Sequence, residues 1–214
     1  MNSIFPGAAF GCAILLAWLA NHIHAALSLP LLAACLGLPL LPAGSRTALF
    51  RSLEFHRRGW LCVLFLAVLY SAGFHLLAWL FIHFYLKTYV LLPSPAGFLE
   101  YCMNTVPWMI IMVLAEEFFF RAYLQETVFL SLFGSQRIKA LHYRNVAASF
   151  LFALAHMVVY HSLLHFYTFF GGLALGWVIT RSERSIWPGT MLHLTVNLLN
   201  HWQKNFLIVN IPWL

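Results

Sequence analysis

Hydrophobic residues along this chain run in long, nearly unbroken blocks, with neither a helical stripe nor a strand alternation. Seven blocks stand out, at 5–20, 25–41, 60–86, 103–133, 145–160, 164–180 and 187–202. Blocks of this length, bounded by proline, glycine and charged clusters, read as apolar helices. A helix needs roughly 20 apolar residues to span a bilayer. The pattern predicts an all-α fold, a polytopic transmembrane bundle of about six to eight membrane helices. The first two blocks could instead be one helix broken near Asn21-His22. Block 103–133 exceeds one span and is expected to kink near Pro107 or to emerge from the bilayer. The apolar tail 205–214 is short enough to lie at the interface. Residues 1–100 read as N-terminal membrane helices and 101–204 as a helical core, within one integrated membrane domain.

Composition strengthens this picture. Of the 214 residues 62% are hydrophobic and 8% charged, and the mean hydropathy is +0.82. Soluble domains carry about 25% charged residues, so this chain could not solvate the surface of a globule. Met1-Asn2-Ser3-Ile4 lacks the basic start of a cleavable signal, and the first block is expected to stay as a helix. Cys12, Cys35, Cys62 and Cys102 form no CxxC pair and lie in or beside apolar blocks. They read as small core- or lipid-facing residues.

The net charge of +6 follows the positive-inside pattern. Loop 42–59 carries Arg46, Arg51, Arg57 and Arg58; loop 134–145 carries Arg137, Lys139 and Arg144; turn 181–186 carries Arg181 and Arg184. Alternating spans place these three loops, with nine of the twelve basic residues, on one face, expected to be cytoplasmic. Lys87 and Lys204 fall opposite. No basic stripe accompanies a reading element, which argues against nucleic acid. The location expected is integral to a bacterial inner membrane.

All six acidic residues are glutamates. Two of them, Glu116 and Glu117, share the apolar segment 114–124 with Arg121. A charge at the bilayer centre costs about 2.5–3.5 kcal/mol on insertion scales, so such residues mark function by default. Glu117 and Arg121, four apart, can pair on one helix face. Glu116 points about 100° away with no i+4 partner, as a general base would need. A polar clamp between helices is an equally good account of this cluster alone. Block 145–160 adds His156, and the last block stacks His193 over Asn197; either could be purely structural. Together they supply a carboxylate base, two imidazoles and an amide at membrane depth, as peptide hydrolysis requires. With no aspartate, no HExxH and no GxSxG, aspartyl, zinc-type and serine intramembrane peptidases are excluded.

EExxxR (Glu116, Glu117, Arg121), FxxxH (Phe152, His156) and HxxxN (His193, Asn197), in that order, resemble the three motifs of the CPBP family, named for CAAX proteases and bacteriocin-processing enzymes. Gly171-Gly172, Gly176 and Ile186-Trp187-Pro188 are similar to its glycine-bearing helix and loop. The resemblance covers Glu116 to Asn197 and implies an intramembrane endopeptidase acting on a membrane-associated, lipidated or C-terminally anchored protein or peptide. It implies that Glu116 and His156 activate water, that His193 and Asn197 bind the oxyanion, and that Glu117 and Arg121 shape the site. No cofactor is expected. Zinc is the alternative, with Glu116, His156 and His193 as ligands. Rival readings are a catalytically silent immunity or chaperone-like member, a transporter, or a haem protein using histidines such as His75, His83, His161 and His165.

Overall fold

The computed structural model describes residues 4–22, 28–41, 43–57, 59–81, 95–138 and 141–206. Arg58, His83, Lys87, Lys139 and the end of the apolar tail, 207–214, lie outside the described residues. The fold is helical. Helices α1 (Ile4–His22) and α2 (Ser28–Gly37) take up the first two blocks, and a 3₁₀ turn, Leu38–Leu40, closes the second. Helix α4 (Trp60–Phe81) takes up the third. Block 103–133 is split: α5 (Pro95–Asn104) ends before Thr105, and α6 (Val106–Glu117) starts with proline in its first turn. Pro107 thus starts a new helix, because its missing N–H is no loss there. Helices α8 (Tyr143–Tyr160), α9 (Thr168–Arg181) and α10 (Trp187–Phe206) fill the last three blocks.

Two elements depart from the sequence reading. Loop 42–59 contains a helix, α3 (Ala43–Ser52), whose Leu49 is fully buried. Beyond α7 (Leu130–Phe133), loop 134–145 contains a two-stranded antiparallel hairpin, β1 (Arg137–Ile138) and β2 (Leu141–His142). Both are short polar segments without a long periodic pattern, and such segments carry no helix or strand signal.

Between α6 and α7 the chain winds as a π-helix over twelve residues, Phe118–Phe129. Such i→i+5 winding is rare overall and frequently lies at functional sites. Its residues form the centre of the core: Phe119, Tyr123 and Leu124 are buried against Phe152, Ile179 and Ile186.

Helix α4 shows which surface meets which surroundings. Val63, Leu66 and Ala67 face inward onto Leu175, Val178 and Leu192, and Tyr70 donates to Asn200 Oδ1 at 2.6 Å. The opposite stripe, Leu61, Leu64, Phe65, Val68 and Leu69, is exposed. A solvated helix puts polar residues on its outer stripe; here both stripes are apolar. Among the described residues one run, Leu163–Arg181, is long and apolar enough to cross a membrane, and Pro6–Leu15 and Trp60–Gly73 are shorter apolar stretches.

The three basic loops meet at one end of the bundle. Ile186 donates its backbone N–H to Ser52 O, Ser185 Oγ donates to Glu54 O, and Trp187 Nε1 donates to Leu53 O. Gly59, at φ +92°, packs so close to Ser182 that a Cβ would lie 2.7 Å from the serine Cβ. Arg144 and Arg184 both reach Glu126, at 3.4 and 3.3 Å. These contacts bring together loops 42–59, 134–145 and 181–186.

Candidate active site

Helix α6 delivers the two glutamates at its last two positions, and the environment separates them. Glu117 is fully buried, whereas the Glu116 side chain keeps 31% of its exposure. Helix α10 places His193 between them. Its Nδ1 donates to Glu117 Oε1 at 2.9 Å, and its Nε2 lies 3.8 Å from Glu116 Oε2. Glu117 therefore fixes the ring through one nitrogen and leaves the other turned to the reachable carboxylate.

The spacing argument had paired Glu117 with Arg121. That pair exists but is long, with Arg121 Nε 3.7 Å from Glu117 Oε2. The carboxylate's closest partner is His193. The π-winding that begins at Phe118 explains the looseness, because it offsets Arg121 from the i+4 alignment of an α-helix. Arg121 is completely buried. One of its nitrogens donates to Ser149 Oγ at 3.4 Å, and its guanidinium lies 5.3 Å from the centroid of the Phe152 ring, a cation–π distance.

Phe152 is the wedge that sets the rest. Its ring meets Phe120 edge-on at 5.1 Å, His193 edge-on at 5.8 Å, and His156 at 4.3 Å. One aromatic ring thus touches the arginine and both histidines. The Nδ1 of His156 is 3.0 Å from the carbonyl of Phe152. A carbonyl only accepts, so Nδ1 carries the proton, and in the neutral ring Nε2 offers a lone pair. Asn197 lies one turn beyond His193 on α10. It is partly buried and makes no hydrogen bond among the described residues.

The structure therefore gathers Glu116, Glu117, Arg121 and His193 directly, brings His156 to them through Phe152, and leaves Asn197 a turn away. Among the described residues no three His, Cys, Asp or Glu side chains assemble as a group that could hold a metal ion. Of the other histidines, His165 stacks on Tyr160 at 4.6 Å, beside His156, and His161 caps α8 in a left-handed conformation.

A buried polar shell behind Arg121 escaped the sequence reading. Ser149 donates to Asn145 Oδ1 at 3.0 Å, and Asn145 Nδ2 donates to Leu173 O. Gln125 donates to Gly176 O and to Glu126. A side chain at Gly176 would collide with Asn145 and Gln125, so the helix can approach this shell only as glycine. The signal was available. Gln125 follows Arg121 by four, and Ser149 follows Asn145 by four, giving polar pairs on single faces of apolar blocks.

Residues 98–199 match one family model, described as type II CAAX prenyl endopeptidase Rce1-like. The matched stretch takes in all six predicted site residues, from Glu116 to Asn197. No curated protein and no solved structure matches the chain.

Proposed function

We propose that the Rce1-like domain at residues 98–199 makes this chain a polytopic intramembrane endopeptidase that cuts a membrane-associated protein or peptide, with Glu116 as the general base. The family is one of membrane-embedded proteases, and the outward apolar stripe of α4 supports a bilayer around the bundle. The six to eight spans and a cytoplasmic placing of the basic loops are part of this proposal.

The observation that carries the reading is His193 held between a buried glutamate and a reachable one. A purely structural clamp would bury both. In the proposed reaction Glu116 takes a proton from water, while the lone pair of His156 Nε2 accepts a hydrogen bond from its other O–H. The hydroxide attacks the scissile carbonyl, and the oxyanion receives hydrogen bonds from His193 Nε2–H and the Asn197 amide. A ring that donates from both nitrogens is the imidazolium, and Glu117 neutralises it. Glu117 also faces Arg121, so two cations share one carboxylate and the surplus positive charge favours the oxyanion. The proton on Glu116 then passes to the departing amine.

This scheme needs no metal. His193 has already given Nδ1 to Glu117, and using Glu116 as a ligand would remove the reachable carboxylate of the pair. The substrate class we favour is a C-terminally anchored or lipidated protein. The direct test compares protein termini in membranes from cells making the wild type, Glu116→Gln, or neither. A terminus that appears only with the wild type supports the reading; identical termini in all three would reject it.

A further inference from the structure

Away from the active site, two arginines converge on one carboxylate at the junction of the hairpin and α8, and a third lies near them. Arg144, 5% exposed, and Arg184 flank Glu126 at 3.4 and 3.3 Å. The charges of Arg137 and Arg184 both reach Arg144. Arg137 is exposed and is paired across the hairpin with His142. Burial, reinforced by Arg144 and Arg137, holds His142 below the usual histidine range, so at neutral pH it adds no charge. Glu183, beside Arg184, lies 3.5 Å from His56 instead. One glutamate thus faces two guanidinium groups, with that of Arg137 close to Arg144, and positive charge is concentrated at one spot.

The local backbone adds to that field. Helix α8 begins here with no acidic residue in its first turn and no side-chain cap from His142, so its N-terminal N–H groups and dipole favour an anion. His142 Nδ1 is buried without a hydrogen-bond partner, and Arg144 Nε faces Glu126 at 3.4 Å without a close hydrogen bond to it. The flanks are apolar and aromatic: Leu132 is 66% exposed and Tyr143 is 39% exposed, with Tyr143 against Phe133. Basic groups at a helix end beside an exposed aromatic match the interfacial zone of a bilayer.

We infer that the junction of the hairpin, α8 and the α9–α10 turn binds the phosphate of an anionic phospholipid. Arg137 and Arg184 hold the phosphate oxygens, Arg144 supports them from behind, and Leu132 and Tyr143 lie along the acyl chains. Free phosphate would use the same arginines but gain nothing from the apolar flank. The inference rests on the chain being membrane-embedded and is independent of the peptidase chemistry.

The test uses the full chain purified in neutral detergent, with phosphatidylglycerol, phosphatidylcholine or inorganic phosphate added. Retained lipid is read by native mass spectrometry. Each basic residue near an anionic surface contributes about fivefold in affinity, so Arg137→Gln with Arg184→Gln should weaken phosphatidylglycerol retention about thirtyfold. Arg51→Gln with Arg57→Gln, which removes the same charge from exposed positions at the same end of the bundle, should leave it unchanged. Equal retention of the two lipids, equal loss in both double variants, or protection by inorganic phosphate with no gain from acyl chains would each overturn the assignment.

Discussion

His193 and Glu117 are joined by a 2.9 Å hydrogen bond across 76 residues of sequence, and this bond decides how the two adjacent glutamates divide their work. The inner carboxylate carries an orienting bond and a buried cation. The outer one carries neither as a direct hydrogen bond and stays reachable.

Glu116→Gln and Glu117→Gln should therefore fail differently. Glu116 is partly exposed, so its amide keeps shape and changes stability by about 0.5 kcal/mol or less, while cleavage is abolished. Glu117→Gln leaves Arg121 buried without its anion and His193 with only a neutral acceptor, which should cost about 3–5 kcal/mol. Thermal unfolding in detergent, run beside a cleavage assay, separates the two. Equal stability loss with activity kept in either variant would contradict this division.

Phe152→Leu tests the wedge. Leucine keeps much of the volume but removes the ring that touches Arg121, His156 and His193. The protein should fold, and kcat should fall about tenfold to a hundredfold through misplacement of the imidazoles, with KM little changed. A loss confined to KM would show that Phe152 contacts substrate instead.

Gly59→Ala probes the contact between the first basic loop and the α9–α10 turn. The residue has positive φ, and a Cβ would meet Ser182. Strain and overlap together should cost about 2–4 kcal/mol. Gly134→Ala is the comparison: its φ is also positive, at +57° with ψ −134°, but no atom lies within 4 Å, so backbone strain alone, about 1–3 kcal/mol, is expected. Similar shifts in the two unfolding curves would remove the role given to the Ser182 contact.

Much of this was legible because apolar blocks bounded by breakers define helices whatever packs against them, as α1, α4, α8 and α10 demonstrate. The site was legible only as residues. Spacing paired Glu117 with Arg121 because both lie in one block; it could not show that His193, from another helix, takes the shorter bond. Nor could it foresee the π-winding after Phe118, which loosens the i+4 pair. Glu126 read as an ordinary acidic residue, because its partners Arg144 and Arg184 come from two distant loops. Helix α3 stayed hidden because, among its described residues, Leu49 is the one buried apolar side chain.

The remaining prediction concerns metal. A zinc hydrolase presents about three protein ligands and an open position, and loses activity when a chelator strips the ion. Here Glu116 would have to act as ligand, and His193 has committed Nδ1 to Glu117. Coordination through His193 Nε2 remains open, with Glu117 as its outer support, but the base would then be lost to the ion. Activity should accordingly survive exhaustive chelation of the purified protein, and elemental analysis of the same sample should find less than stoichiometric zinc. Glu116→Asp offers an independent reading. A shortened base moves away from the water yet keeps its carboxylate, so slow, chelator-resistant cleavage is expected. Stoichiometric zinc, with activity restored only by adding it back, would make Glu116 a ligand and pass the role of base to another group.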